Sequence, residues 1–233
     1  MENNILLYIL FIPSVAAILL LFLPETNKKL IRWTSFLLSL IPFILSIVLW
    51  TSFDHATKGF QFEILAPWFP AIGSSFHLGV DGISVPMILL TTILTPLAIL
   101  ASFGIEEKIK AYMALFLFLE TGVLGVFVSV DLLVFFLFWE IGLIPMYFLI
   151  SQWGGKNRNY AALKFMLFTM GGSLGLLLSI QVIGITTGTF DLAQIYELWP
   201  GLTELSFNKL IPLGLTIGTV KAIAFWAFVI AFA

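Results

Sequence analysis

The sequence predicts an all-α polytopic membrane protein with seven transmembrane helices and its N-terminus outside. Three observations carry this. Of the 233 residues, 60% are hydrophobic and 10% charged, whereas soluble domains carry about 25% charge. Seven apolar stretches are long enough to cross a hydrocarbon layer about 30 Å thick. The basic residues between those stretches fall overwhelmingly on one side.

In chain order the spans read as Ile5–Leu23, Ile31–Thr51, Ser84–Phe103, Ala111–Val130, Leu132–Ile150, Tyr160–Ile185 and a last one ending at Ala233. Pro24 closes the first. Ser84 and Pro86 look like an N-cap followed by a first-turn proline. The fourth and fifth spans are joined almost without a loop, so they are antiparallel neighbours. Gly154 and Gly155 break the chain before the sixth span, which is long enough to tilt. Segment 54–83 reads as a loop lying at the interface. Within 186–209, LAQIYELW reads as a short surface helix. The whole chain, 1–233, is one membrane domain.

Loop charges orient the bundle. Lys28, Lys29, Arg32, Lys108, Lys110, Lys156, Arg158 and Lys164 fall on one side, and only Lys58 and Lys209 on the other. The first side is therefore cytoplasmic. The start, with Glu2 ahead of an apolar run and no small-residue cleavage site, does not read as a signal peptide. No basic block exists to bind nucleic acid. The absence of cysteine excludes disulfides, thiolate metal sites and cysteine-held clusters within this sequence.

Glu140 is the foremost candidate for chemistry. It stands in LLVFFLFWEIGLIPMYFLI, otherwise uncharged, about 13.5 Å along a helix from Asp131. A carboxylate at that depth costs on the order of 3 kcal/mol to insert. Such groups usually face protein or water and move protons or ions; the plainer role is gluing helices. Glu120 reaches similar depth on the neighbouring span, as a relay partner or a separate polar contact. Pro145 removes a backbone donor one turn beyond Glu140. Lys164, about 6 Å inside its span, is an interfacial anchor or an inner proton entry. Gly171/Gly175 and Gly214/Gly218 have the spacing for close helix contact. His77 and Asp81 lie four apart, but no third ligand completes a metal site.

The blocks WEIGLIPMYFLISQWGG (139–155) and HLGVDGIS (77–84) resemble the M-type antiporter-like subunit of respiratory complex I, called subunit 4 in organelles. The likeness continues through VFVSVDLLVFFLFWE, YAALKFMLFT and FWAFVIAFA, and so covers the chain. The L- and N-type subunits and the Mrp antiporters share the carboxyl but not the flanking LIPMYFLI. The resemblance implies an antiporter-like fold lacking its second inverted half. The activity it implies is proton translocation within an NADH:quinone oxidoreductase. It makes Glu140 the proton-handling carboxyl, with Lys164 matching the sixth-helix lysine. Glu140's family partner is a seventh-helix lysine that would fall just beyond Ala233, so the sequence reads as a fragment. Lys221 aligns near the external end of the last helix, with Leu210–Thr219 as a surface or re-entrant segment. No cofactor is expected in this chain; NAD, FMN, iron–sulfur clusters and quinone belong to partner subunits. Expected partners are the other membrane-arm subunits, especially the L- and N-types, in a bacterial inner membrane. A thylakoid or mitochondrial inner membrane is the alternative.

Rival readings are an Mrp-type cation/proton antiporter or membrane-bound hydrogenase subunit, a seven-helix retinal protein, and a purely structural subunit. The retinal reading lacks a carboxylate counter-ion in the third span, SVPMILLTTILTPLAILASF.

Overall fold

A computed structural model describes residues 4–202 and 216–232. Residues 210–215 of the segment expected at the surface, Gly214 among them, together with Lys209, lie outside the described residues. Apolar runs that cannot face water form helices because a helix satisfies its own backbone donors and acceptors in lipid. They are α1 (Ile5–Leu21), α2 (Lys28–Ser52), α3 (Ser84–Ala101), α4 (Ile109–Val128), α5 (Leu132–Trp153) and α6 (Arg158–Thr187). The short α7 (Leu192–Leu198) and then α8 (Ile217–Phe232) follow. Five of these, α2 to α6, are long and apolar enough to cross a membrane; α1 and α8 are apolar but shorter. Their outward surfaces carry Leu, Ile, Val and Phe in quantity, as lipid-facing helices do.

The helix α4 is the hub, packed against α1, α2, α3 and α5, while α6 bridges α5 and α8. Two glycines bring α4 and α5 together. A Cβ on Gly125 would meet the Phe138 ring at 2.1 Å, and one on Gly122 would meet the Gly142 Cα at 2.8 Å. Between α6 and α8 the close approach falls on Gly172 and Gly175, whose missing Cβ atoms face the carbonyls of Ala231 and Ala227. Gly171, the expected first member of that pair, has open space beside it, and among the described residues Gly218 meets only Thr216, just ahead of α8, at 3.9 Å. The i,i+4 spacing alone did not say which of two adjacent glycines faces inward.

The main departure from the sequence reading is at 54–83. That segment is not a bare interfacial loop. It holds a β-hairpin, β1 (Gln61–Phe69) and β2 (Ser74–Val80), antiparallel and irregular in register. Proline at 67, aromatics on both faces and bulges hide the two-residue alternation that marks a strand. The turn runs through Pro70–Ile72 to Gly73, whose φ of +77° favours glycine. The expected cap at Ser84 also moves. Ser84 is the first helical residue, and the Asp81 carboxylate accepts its N–H at 2.8 Å and that of Ile83 at 3.1 Å. Ser84 Oγ also donates to that carboxylate at 2.7 Å. These donors hold the Asp81 carboxyl below the usual range, against the opposing effect of its partial burial.

At the opposite end, the predicted basic side is internally tied. Glu106 accepts from Lys28 and Arg32, each at 2.7 Å. Lys110 donates to the carbonyls of Leu21, the last residue of α1, and Leu23 just beyond it. Hydrogen bonds from the two bases hold the Glu106 carboxyl down at about 2, from an ordinary 4.5. A depressed carboxyl stabilises the fold fully above its unfolded value and loses that effect as pH falls through its folded one. The stability difference between the protein and Glu106→Gln is therefore expected to hold down to about pH 4.5 and close toward about 2. A detergent melting series checks this. Closure above the ordinary carboxylate range would contradict it.

Candidate functional site

Glu140 and Glu120 sit at matched depth, each eight residues from the hairpin end of its helix, or about 12 Å. They do not face each other. The α4 stripe that touches α5 runs through Gly122 and Gly125. Glu120, two residues from Gly122, is turned about 200° away. It is buried on the α3 side of α4, beside Thr95. Thr95 Oγ1 donates to the Thr91 carbonyl at 3.0 Å, and neither Glu120 oxygen has a hydrogen-bond partner among the described residues. Next to it, Ser14 of α1 donates to Thr121 Oγ1 at 2.7 Å. Glu120 is thus a second buried carboxyl, on its own side of α4.

Glu140 is half-buried, with Oε1 enclosed and unpartnered among the described residues. Leu133 and Phe136, on the same stripe of α5, belong to the cluster formed with α6 and α8. Glu140 continues that stripe deeper into the bundle. The preceding Trp139 packs edge-on against Phe232 of α8, centroids 5.5 Å apart, and its indole N–H is also buried without a partner among the described residues. The helix runs unbroken through Pro145. A titratable group with unmet hydrogen-bonding capacity can hold a proton, a water or a passing cation at mid-depth.

Lys164 lies on the exposed side of α6, its ammonium 6.0 Å from the Tyr160 ring centroid and 5.9 Å from that of Phe168. It is about 9 Å from the start of α6, while Glu140 is about 20 Å from the matching end of α5. That places the two about 10 Å apart in depth, so they form no direct pair. Lys221 falls in the second turn of α8, which begins four residues earlier than expected. Its ammonium stands 5.9 Å from the centroid of the Trp199 ring, just past α7, a cation–π distance.

Two residues organise the hairpin end: Asp131, which the sequence reading used only to measure depth, and His77, which it weighed only as a metal ligand. Asp131 is fully buried. Its Oδ1 accepts from the backbone N–H groups of Leu133 and Val134, capping α5, and from Ser74 Oγ of β2; Oδ2 accepts from the Ser75 N–H. An aspartate directly ahead of an apolar run is a helix-start signal, and it was legible. His77 is joined to Asp191 and Glu63. No spacing rule links residues 114 positions apart, so that cluster was not legible. Among the described residues no group of His, Asp and Glu is arranged to hold a metal.

The bundle defines a class: polytopic membrane subunits of antiporter-like fold. The chain superposes with TM-score 0.72 on a chain of the Mrp complex from Dietzia, at 20% identity over 95% of this chain and 23% of that one. A chain of an archaeal membrane-bound sulfane sulfur reductase gives 0.73, again at 20% identity, over 100% of this chain and 33% of the other. At that identity these two show the fold alone. Within the class, the chain belongs to the family of NADH-ubiquinone oxidoreductase chain 4, whose amino-terminal profile matches residues 6–129, just over half of it. The profile described as NADH:quinone oxidoreductase/Mrp antiporter, TM, follows over 129–230.

NADH-quinone oxidoreductase subunit M of Rickettsia conorii is 38% identical, over 100% of this chain and 46% of the relative. The Rhodobacter capsulatus subunit M is 37% identical, over 99% and 45%. A chain of respiratory complex I from Thermus thermophilus superposes with TM-score 0.70 at 28% identity, over 84% of this chain and 39% of that one. The chain therefore spans a little under half the length of the curated relatives it matches.

Proposed function

We propose that this chain contributes to proton translocation as the M-type antiporter-like subunit of an NADH:quinone oxidoreductase. Oxidation of NADH and reduction of quinone take place in other subunits. The observation that carries this is Glu140, a carboxyl in mid-bundle with an enclosed oxygen that has no hydrogen-bond partner among the described residues. Taking up a proton changes the charge of such a group by one, so its occupancy responds to charges brought near it or withdrawn. That is what couples a distant event to proton movement across a low-dielectric layer. Glu120, on its own side of α4, is a second proton-holding carboxyl, and Lys164 on α6 is a cytoplasmic entry group; neither contacts Glu140 directly. Family membership supports the reading, and so does the likeness to the Thermus complex I chain.

In this reading the chain is a single membrane domain that crosses a bacterial inner membrane seven times, with α1 and α8 as the two short crossings and the N-terminus outside. It packs beside L- and N-type neighbours. NAD, FMN, iron–sulfur clusters and quinone sit in partner subunits. Inverted membrane vesicles holding the full-length protein in its complex test it. NADH is expected to drive proton uptake, in preparations that carry flavin and iron–sulfur signals. Sodium-dependent antiport without those signals would replace it with the Mrp reading.

The topology has its own test. Cysteines placed singly at Lys28 and Lys58 are expected to label only from the cytoplasmic and only from the external face, respectively. Labelling of the Lys28 site from outside would invert the orientation.

A further inference from the structure

The hairpin end of the bundle is stitched by a small set of backbone and side-chain contacts. The Val130 N–H donates to the His77 carbonyl, the Leu132 N–H to that of Phe190, the Leu192 N–H to that of Val130, and the Phe190 N–H to that of Gly73. Three segments thus meet: β2, the α4–α5 turn and the chain leading into α7. Two aspartates, paired across the bridge Asp131↔Asp191, each cap a helix and each hold a residue of β2. Asp131 caps α5 and takes Ser74 and Ser75. Asp191 caps α7, accepting the Gln194 N–H at 3.0 Å on Oδ1, and meets His77 on Oδ2.

His77 differs from the serines because both its nitrogens face carboxylates. Nδ1 lies 2.5 Å from Asp191 Oδ2 and Nε2 lies 2.8 Å from Glu63 Oε2 of β1. The ring and Asp191 are buried, while Glu63 is half-exposed to solvent. The two carboxylates take opposite edges of one imidazole, so they cannot converge on a common metal ion. A neutral imidazole has a single N–H and can donate to only one of them; the cation donates to both. Of the other acids at this end, Asp54 holds Ala56 and Thr57, and two more are committed within the bundle. Asp131 is spent on four donors, and Asp81 on the start of α3. Among the described residues no lysine or arginine forms an ion pair with this cluster.

We propose that His77 is a proton-dependent latch. As the imidazolium it holds β1, through Glu63, and the α7 cap, through Asp191, at the same time from its place on β2. Loss of its proton leaves one carboxylate facing a lone pair, so β1 and the α7 cap are no longer both tied to the ring. The latch is independent of the proton-translocation reading above and of which face of the membrane it lies on.

The test uses the full-length protein in its complex, in nanodiscs. Spin labels are placed at Leu65 of β1 and Tyr196 of α7, both well exposed. The distance distribution between them is expected to be narrow at low pH and to broaden reversibly in a pH series carried upward past the range of an ordinary histidine, about 5 to 8. His77→Gln is expected to give the broad distribution at every pH. Glu63→Gln, which removes the half-exposed partner and leaves the buried pair, is expected to move the broadening to lower pH. If His77→Gln fails to assemble, Glu63→Gln decides the matter alone. A wild-type distribution that stays unchanged across this range, or a Glu63→Gln curve that coincides with it, overturns the latch.

Discussion

Glutamine at position 140, placed in the full-length complex, is expected to cut NADH-driven proton translocation by about tenfold or more while assembly stays at the wild-type level. Glutamine keeps the shape of the side chain and its carbonyl acceptor but cannot gain or lose a proton. If Glu140 only glued helices, the amide would serve as well, since polar contacts between membrane helices contribute only about 0.6 kcal/mol on average. If it holds a proton in transit, its removal takes out an obligatory step, and acid–base groups in such steps are typically worth on the order of 10²-fold. Fluorescent dye quenching in inverted vesicles, normalised to assembled complex, reads the difference. Normal pumping at normal assembly would reduce Glu140 to packing. Asp at 140 keeps the titratable group one methylene shorter and is expected to fall between the two.

Asp131→Ala is expected to have the largest effect on folding. The fully buried carboxylate serves four donors. Loss of an N-cap alone costs about 1 kcal/mol. Each buried donor left unsatisfied adds about 1–3 kcal/mol, less wherever water reaches this end of the bundle. A total on the order of 3–5 kcal/mol is a large part of a domain's usual stability margin. The variant should assemble poorly and melt well below the wild type. Asp131→Asn keeps an acceptor for Leu133, Val134 and Ser74 and forfeits the Ser75 contact, so it should recover most of the loss. The yield of assembled complex and its melting temperature check the series. An alanine variant as stable as the wild type would mean that the hairpin is held from elsewhere.

The positions of the helices were legible from sequence because lipid imposes one rule on every apolar run: bond your own backbone or be unstable. That rule depends on composition and length, not on neighbours. The depth of Glu140 and Glu120 followed from counting residues along a helix. Asp131 was legible too, as an acid directly ahead of an apolar run, and was used only to measure depth.

What the sequence could not state was direction. Whether Glu120 looks at Glu140 depends on which stripe of α4 meets α5, and that was decided by Gly122 and Gly125, where a missing side chain lets backbone and ring approach. Whether Gly171 or Gly172 makes the contact to α8 turned on the same kind of rotation. The hairpin and the Glu63–His77–Asp191 cluster join residues up to 114 positions apart, and no local period encodes such a meeting. Sequence by itself determined that this is a multi-helix membrane protein with carboxyls at mid-depth, because hydrophobicity and helix rise are local properties. Only the tertiary structure decided which polar groups face one another, because that depends on the rotation and packing of whole helices.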